Sequence, residues 1–147
     1  MKKLSMNTAK KNNTTLKVVL DSNIIISALF FGGKPRKILN LILKKEIIGL
    51  TSPYIIFELK DVLRRRKFNI DEEKIEEVGK LLKKKFQIIS PTVQVNIIKD
   101  YHPDNKILAL AIEAKADFLI TGDKKHILPL KWIQKTLIVT AEEFLNK

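Results

Sequence analysis

Cysteine is absent from the 147-residue chain, and histidine occurs only as His102 and His126. The first absence excludes disulfides, iron–sulfur clusters, thiolate nucleophiles and Cys-ligated zinc. The second argues against a metal site rich in histidine. No apolar run approaches the ~18 residues that a membrane span requires, because Lys, Asn or Gly interrupts each one. Acidic residues are outnumbered, 16 against 28 basic, for a net charge of +12. Arginine is scarce within that excess, at Arg36, Arg64, Arg65 and Arg66, so lysine spreads most of the charge. What remains is an ordinary globular balance, 45% apolar and 30% charged, in a chain long enough for one domain that buries roughly 70% of its unfolded surface.

The first 16 residues, MKKLSMNTAKKNNTTL, carry four lysines and no acid. They lack the apolar centre of a secretory signal, so they read as a flexible basic arm and the chain as cytoplasmic. From Lys17 onward the pattern alternates. KVVLD is an apolar run of the kind buried on both faces of a parallel sheet. Asp21 or Ser22 can cap the helix that follows, with Gly32-Gly33 ending it. PRKILNLILKKE is amphipathic, and IIGLT is strand-like. Ser52 and Pro53 open a helix that contains Glu58 and ends in Arg64, Arg65, Arg66 and Lys67. DEEKIEEVGKLLKKKF has an acidic first turn and a basic last turn, matching the helix dipole. QIISPTVQVNII supplies strand material, DNKILALAIEAK a helix opening at Asp104, ADFLIT and TLIVT two more strands, and AEEFLNK a final helix capped by Thr140. This alternation predicts a three-layer α/β/α domain over residues 17–147, with a central parallel sheet of about five strands.

Ligands of an open parallel sheet bind beyond the carboxyl ends of its strands. Asp21 ends the first strand, Asp123 follows ADFLIT by one glycine, Asp104 opens the preceding helix, and Glu58 lies early in the helix after the second strand. Each alone reads as a cap or a solvated residue. Together they fall at one edge, and Glu58 sits between Phe57 and Leu59 in an apolar stretch. Several carboxylates in one place repel unless a cation neutralises them. Oxygen ligands of this kind suit Mg²⁺ or Mn²⁺, which can lower the pKa of a coordinated water and stabilise charge on a phosphate. An acidic ion-binding pocket in a strongly basic chain is the arrangement expected of a nuclease, with Lys and Arg holding the phosphate backbone. Lys34, Arg36, Arg64, Arg65, Arg66, Lys124 and Lys125 are the candidate phosphate contacts.

VVLDSNIIISAL, SPYIIFELKDVL, DNKILALAIEAKADFLITGDKKHIL and LIVTAEEFL, in that order, resemble PIN-domain proteins, in particular the branch of toxin–antitoxin toxins. The resemblance spans roughly Lys17 to Phe144. It implies a metal-dependent ribonuclease and maps the family's acids onto Asp21, Glu58, Asp104 and Asp123, with Ser22, Asn23 and Thr121 beside them able to orient ligands or water. It also implies an RNA substrate, a small antitoxin partner and a homodimer. One departure is a residue inserted in Lys-Asp-Tyr-His-Pro-Asp-Asn-Lys, which weakens any metal role for Asp100. His102 and His126 read as a loop and a turn residue. Two rival readings use the same residues: an RNA-processing or RNA-binding PIN protein without a toxin role, and a haloacid-dehalogenase-like phosphatase. The phosphatase would need a second Asp where Asn23 stands.

Overall fold

A computed structural model describes residues 15–65, 68–98 and 102–146, and of His102 only its backbone. Nearly all of the basic arm, together with Arg66, Lys67 and Asp100, lies outside the described residues.

The sheet has six strands in the order β3-β2-β1-β4-β6-β5. They are β1 (Lys17–Leu20), β2 (Ile48–Thr51), β3 (Gln87–Ile88), β4 (Phe118–Ile120), β5 (Trp132–Ile133) and β6 (Thr136–Val139). All neighbours are parallel except β5 and β6. Helices flank the sheet in an α/β/α arrangement: α1 (Ser22–Phe30), α2 (Gly33–Leu43), α3 (Pro53–Leu63), α4 (Glu72–Lys85), α5 (His102–Ala114) and α6 (Ala141–Leu145). The expected sheet of about five parallel strands therefore gains a sixth, antiparallel one. β5 returns into β6 through Gln134 and Lys135, and Gln134 takes a positive φ of 52°. Glycine commonly fills that position in a two-residue hairpin loop, so its usual marker is missing here.

β4 and all of β1 after Lys17 are buried, with Val18, Val19, Leu20, Leu119 and Ile120 at 0% exposure. That burial explains their unbroken apolar runs. The chain builds outward from β1 through β2 to β3, then crosses to β4 on the other side of β1. The gap between the carboxyl ends of β1 and β4 is thus the point where strand order reverses, the usual ligand position in such sheets.

Several boundaries differ from the sequence expectation. Gly32 and Gly33, with φ of 79° and 67°, do more than end α1: they start α2, which needs backbone that other residues resist. Arg36, a candidate phosphate contact, binds the protein's own backbone. Its Nε donates to Ala28 O at 2.8 Å and its Nη2 to Leu29 O at 3.0 Å, satisfying carbonyls that the end of α1 leaves open. Only Gln87–Ile88 of the expected strand after α4 joins the sheet. The following segment is clamped to α5 by the buried Asn105. Its Oδ1 accepts from Ile97 N at 3.1 Å and Ile98 N at 2.9 Å, and its Nδ2 donates to Ile98 O at 2.7 Å. Finally, α5 begins at His102, which places Asp104 inside the first turn instead of at the cap. An acid there still faces the positive end of the helix dipole.

Candidate active site

Asp21 leaves β1 in extended backbone and caps α1, its Oδ1 accepting from Ile24 N at 3.0 Å. Its Oδ2 accepts from the Thr121 hydroxyl, which arrives from the end of β4 across 100 residues of sequence. The same hydroxyl oxygen accepts from Asp123 N at 3.1 Å. One threonine therefore ties together the two strand ends that carry Asp21 and Asp123. Asp123 is steadied further, because its Oδ1 accepts from Lys125 N at 2.9 Å and His126 N at 3.1 Å. That is the local capping pattern short Asp side chains favour.

Glu58 projects from α3, half-buried at the flank of the face that carries Ile55, Ile56 and Leu59. Ser22 Oγ donates to Glu58 Oε1 at 3.0 Å, linking the start of α1 to α3. Asp104 enters from the first turn of α5. These four acids, with Ser22, Asn23, Ile24, Ser27 and Gly122, line one cavity of about 390 Å³ at the carboxyl edge of the sheet. The four positions chosen from sequence order therefore share one pocket.

Their electrostatics fit crowding. Burial pushes the Asp21 carboxyl above its ordinary range, opposed by the bonds from Thr121, Ile24 and Asn23, and reinforced by Asp123. Asp104 is likewise raised, first by burial and then by Asp123 and Glu58, while His126 acts in the opposite direction. Tyr54 on α3 feels the same field: burial, Glu58 and Asp104 raise its phenol. Negative charge here is costly unless a cation shares it.

Two neighbours were not foreseen from sequence. His126 is held in the turn after Asp123, with its Nδ1 3.7 Å from Asp104 Oδ2 and 3.8 Å from Asp123 Oδ2. Among the described residues, Asp104, Asp123 and His126 are the acids and imidazole whose ligand atoms all lie within 4.8 Å of one another. Asp21 and Glu58 line the cavity outside that tight group. The signal for His126 was its spacing, three residues beyond Asp123, which puts both on one side of a turn. Lys106 is the second neighbour, its Nζ 5.7 Å from the centre of the Tyr54 ring.

The candidate phosphate contacts divide. Arg64 is occupied by Glu72, at 3.0 Å and 2.8 Å, and lies 3.5 Å from Glu76, so it braces α3 against α4. Lys34 pairs with Glu142 at 3.2 Å. Arg65, Lys124 and Lys125 are exposed, and the two lysines adjoin Asp123.

A family model described as a PIN domain matches residues 17–125. The chain belongs to the PIN domain family. The match contains all four acids of the cavity. An uncharacterized protein of Methanocaldococcus jannaschii, MJ1680, is 37% identical over 122 residues, covering 80% of this PIN domain chain and 77% of its own length. Two solved structures share the fold. VapBC2 from Rickettsia felis, bound to a DNA fragment from its promoter, superposes with a TM-score of 0.59 at 17% identity, covering 84% of this chain and 97% of that one. VapBC-1 from nontypeable Haemophilus influenzae gives 0.57 at 18% identity, covering 86% and 99%. Among the described residues of this PIN domain, no helix is long and apolar enough to cross a membrane.

Proposed function

We propose that this PIN domain is a Mg²⁺- or Mn²⁺-dependent endoribonuclease that acts as the toxin of a toxin–antitoxin pair. The observation that carries the nuclease reading is the shared cavity: four carboxylates from four separate segments meet at the β1/β4 edge of a chain with net charge +12. The donor set fits a hard divalent ion, since carboxylate oxygens predominate, and burial with neighbouring acids raises the carboxyls of Asp21 and Asp104 above their ordinary range. Asp21, Asp104 and Asp123 would hold the ion, with Glu58 as a further ligand or as the group that positions water. When bound, the ion supplies a more acidic water and charge stabilisation at the phosphate.

The chain's own groups prepare that chemistry. Thr121 and the Ile24 amide fix the direction of Asp21, Ser22 holds Glu58 against the cavity wall, and the turn amides orient Asp123. Lys124, Lys125 and Arg65, all exposed, would attract the backbone of single-stranded RNA. The toxin role, a small antitoxin that blocks the acidic pocket, a homodimer and a cytoplasmic site of action are part of the same reading. Its support is the fold shared with two VapBC assemblies.

The deciding assay incubates the chelator-treated protein with single-stranded RNA, with and without Mn²⁺. Cleavage should depend on the ion and vanish in Asp123→Asn, whose circular dichroism should match the parent. An Asp123→Asn chain that cuts as fast as the parent removes the assignment. Equilibrium RNA binding without turnover would restore the binding-module reading. Growth arrest on expression, relieved by Asp123→Asn, tests the toxin role separately.

Thr121→Val probes the bridge between β1 and β4. The replacement keeps the shape but deletes the hydroxyl that serves both Asp21 and Asp123. We expect RNA cleavage to fall about 10–100-fold, with a stability loss of about 1–2 kcal/mol by denaturant titration. An unchanged rate would show that the bridge has no part in orienting the acids.

A further inference from the structure

Two acids of the cavity, Asp104 and Asp123, form a tight cluster with a nitrogen that lies beside them. His126 Nδ1 stands 3.7 Å from Asp104 Oδ2 and 3.8 Å from Asp123 Oδ2. Both separations are longer than the ~2.7–2.9 Å of a charge-assisted hydrogen bond. They suit a different arrangement. Two donors each about 2.1 Å from one ion stand about 3.0 Å apart at a right angle and about 4.2 Å apart when opposite. The two separations fall between these limits, and all three ligand atoms lie within 4.8 Å of one another.

The ring is aimed by its backbone. Asp123 Oδ1 takes the Lys125 and His126 amides, which folds the turn back and leaves Asp123 Oδ2 on the imidazole side. Ile127, 1% exposed, anchors the far end of that turn in the core. The three side chains are 17%, 26% and 23% exposed for Asp104, Asp123 and His126, sheltered yet open to an entering ion. The family match ends at residue 125, one residue short of this histidine.

We propose that His126 is a nitrogen ligand of the divalent ion held by Asp104 and Asp123, and that it biases the site toward Mn²⁺ over Mg²⁺. The inference rests on the ion-dependent reading above. Carboxylate-only sites suit Mg²⁺, whereas an imidazole donor favours transition ions. His126 supplies the one non-oxygen donor of the cluster.

The test uses the full chain, stripped with chelator and reloaded with Mn²⁺ alone. Pulsed electron paramagnetic resonance on protein labelled with ¹⁵N-histidine should show histidine nitrogen coupled to Mn²⁺. The coupling should persist in His102→Gln and disappear in His126→Gln. By calorimetry, His126→Gln should weaken Mn²⁺ binding about tenfold or more and change Mg²⁺ binding less than about twofold. If His126→Gln does not fold, coupling that persists in His102→Gln assigns the ligand, because the chain has two histidines. Mn²⁺ bound by the parent without histidine coupling, or coupling that survives His126→Gln, overturns the proposal. If Asp123→Asn still abolishes Mn²⁺ binding in that event, the acidic site stands without the imidazole. A parent chain that binds no Mn²⁺ overturns both readings.

Discussion

Asp104→Asn is expected to lower ion-dependent RNA cleavage by about 10²–10³-fold while raising the melting temperature of the metal-free chain by about 2–4 °C. The two effects have one origin. Asp104 sits in the field of Asp123 and Glu58, and burial with that repulsion raises its carboxyl above the ordinary range. Neutral Asn keeps the size and removes the repulsion, but it also removes a charged ligand of the proposed ion. The sign of the pH dependence follows from the same shift. A folded carboxyl that keeps its proton to higher pH binds more protons than its unfolded counterpart. Metal-free stability therefore falls as pH rises from the ordinary Asp value of ~3.9 through the raised folded value, and it stays lower above that window. Asp21, also raised, acts in the same direction. Thermal melts at several pH values, with and without Mn²⁺, check the claim: the ion should reverse the loss in the parent and do much less in Asp104→Asn. A variant that melts below the parent in chelator would show that crowding of the acids carries no strain.

Leu59→Ala should cost about 3–5 kcal/mol, and so lower the melting temperature by about 10 °C or more. Leu59 is 0% exposed on the buried face of α3, one residue from Glu58. Its side chain, with Ile55 and Leu63, fixes the rotation of the helix about its axis. Loosening α3 also loosens the Ser22–Glu58 hydrogen bond, so cleavage at low temperature should fall before unfolding is detectable. Calorimetry paired with rate measurements at ~15 °C below the parent's midpoint separates the two losses. A change under 1 kcal/mol, on the order of a surface substitution, would contradict the assigned packing.

The parts that could be read from sequence were those fixed by local physics. VVL before Asp21 and FLI before Thr121 are apolar runs without alternation because both faces are buried, so their ends, and the acids after them, were easy to place. Ser52-Pro53 marks a helix start through a cap that the structure shows in full. Where tertiary contacts decide, the sequence was silent. β5 is two residues long, and its turn through Gln134 has no glycine to mark it. Arg36 looked free for phosphate until folding brought the open carbonyls of α1 within reach. Asn105 was read only as part of Asp-Asn-Lys, yet it clamps the segment before α5 through three hydrogen bonds. His126 was visible in principle from its spacing to Asp123, but its approach to Asp104 depends on where α5 ends up.

Thr121 reaches Asp21 across 100 residues of chain. A polypeptide still emerging from the ribosome, complete through Lys115, already holds Asp21, Glu58 and Asp104 but neither β4 nor the turn behind it. A message severed ahead of the Thr121 codon therefore yields only a fragment without the finished pocket.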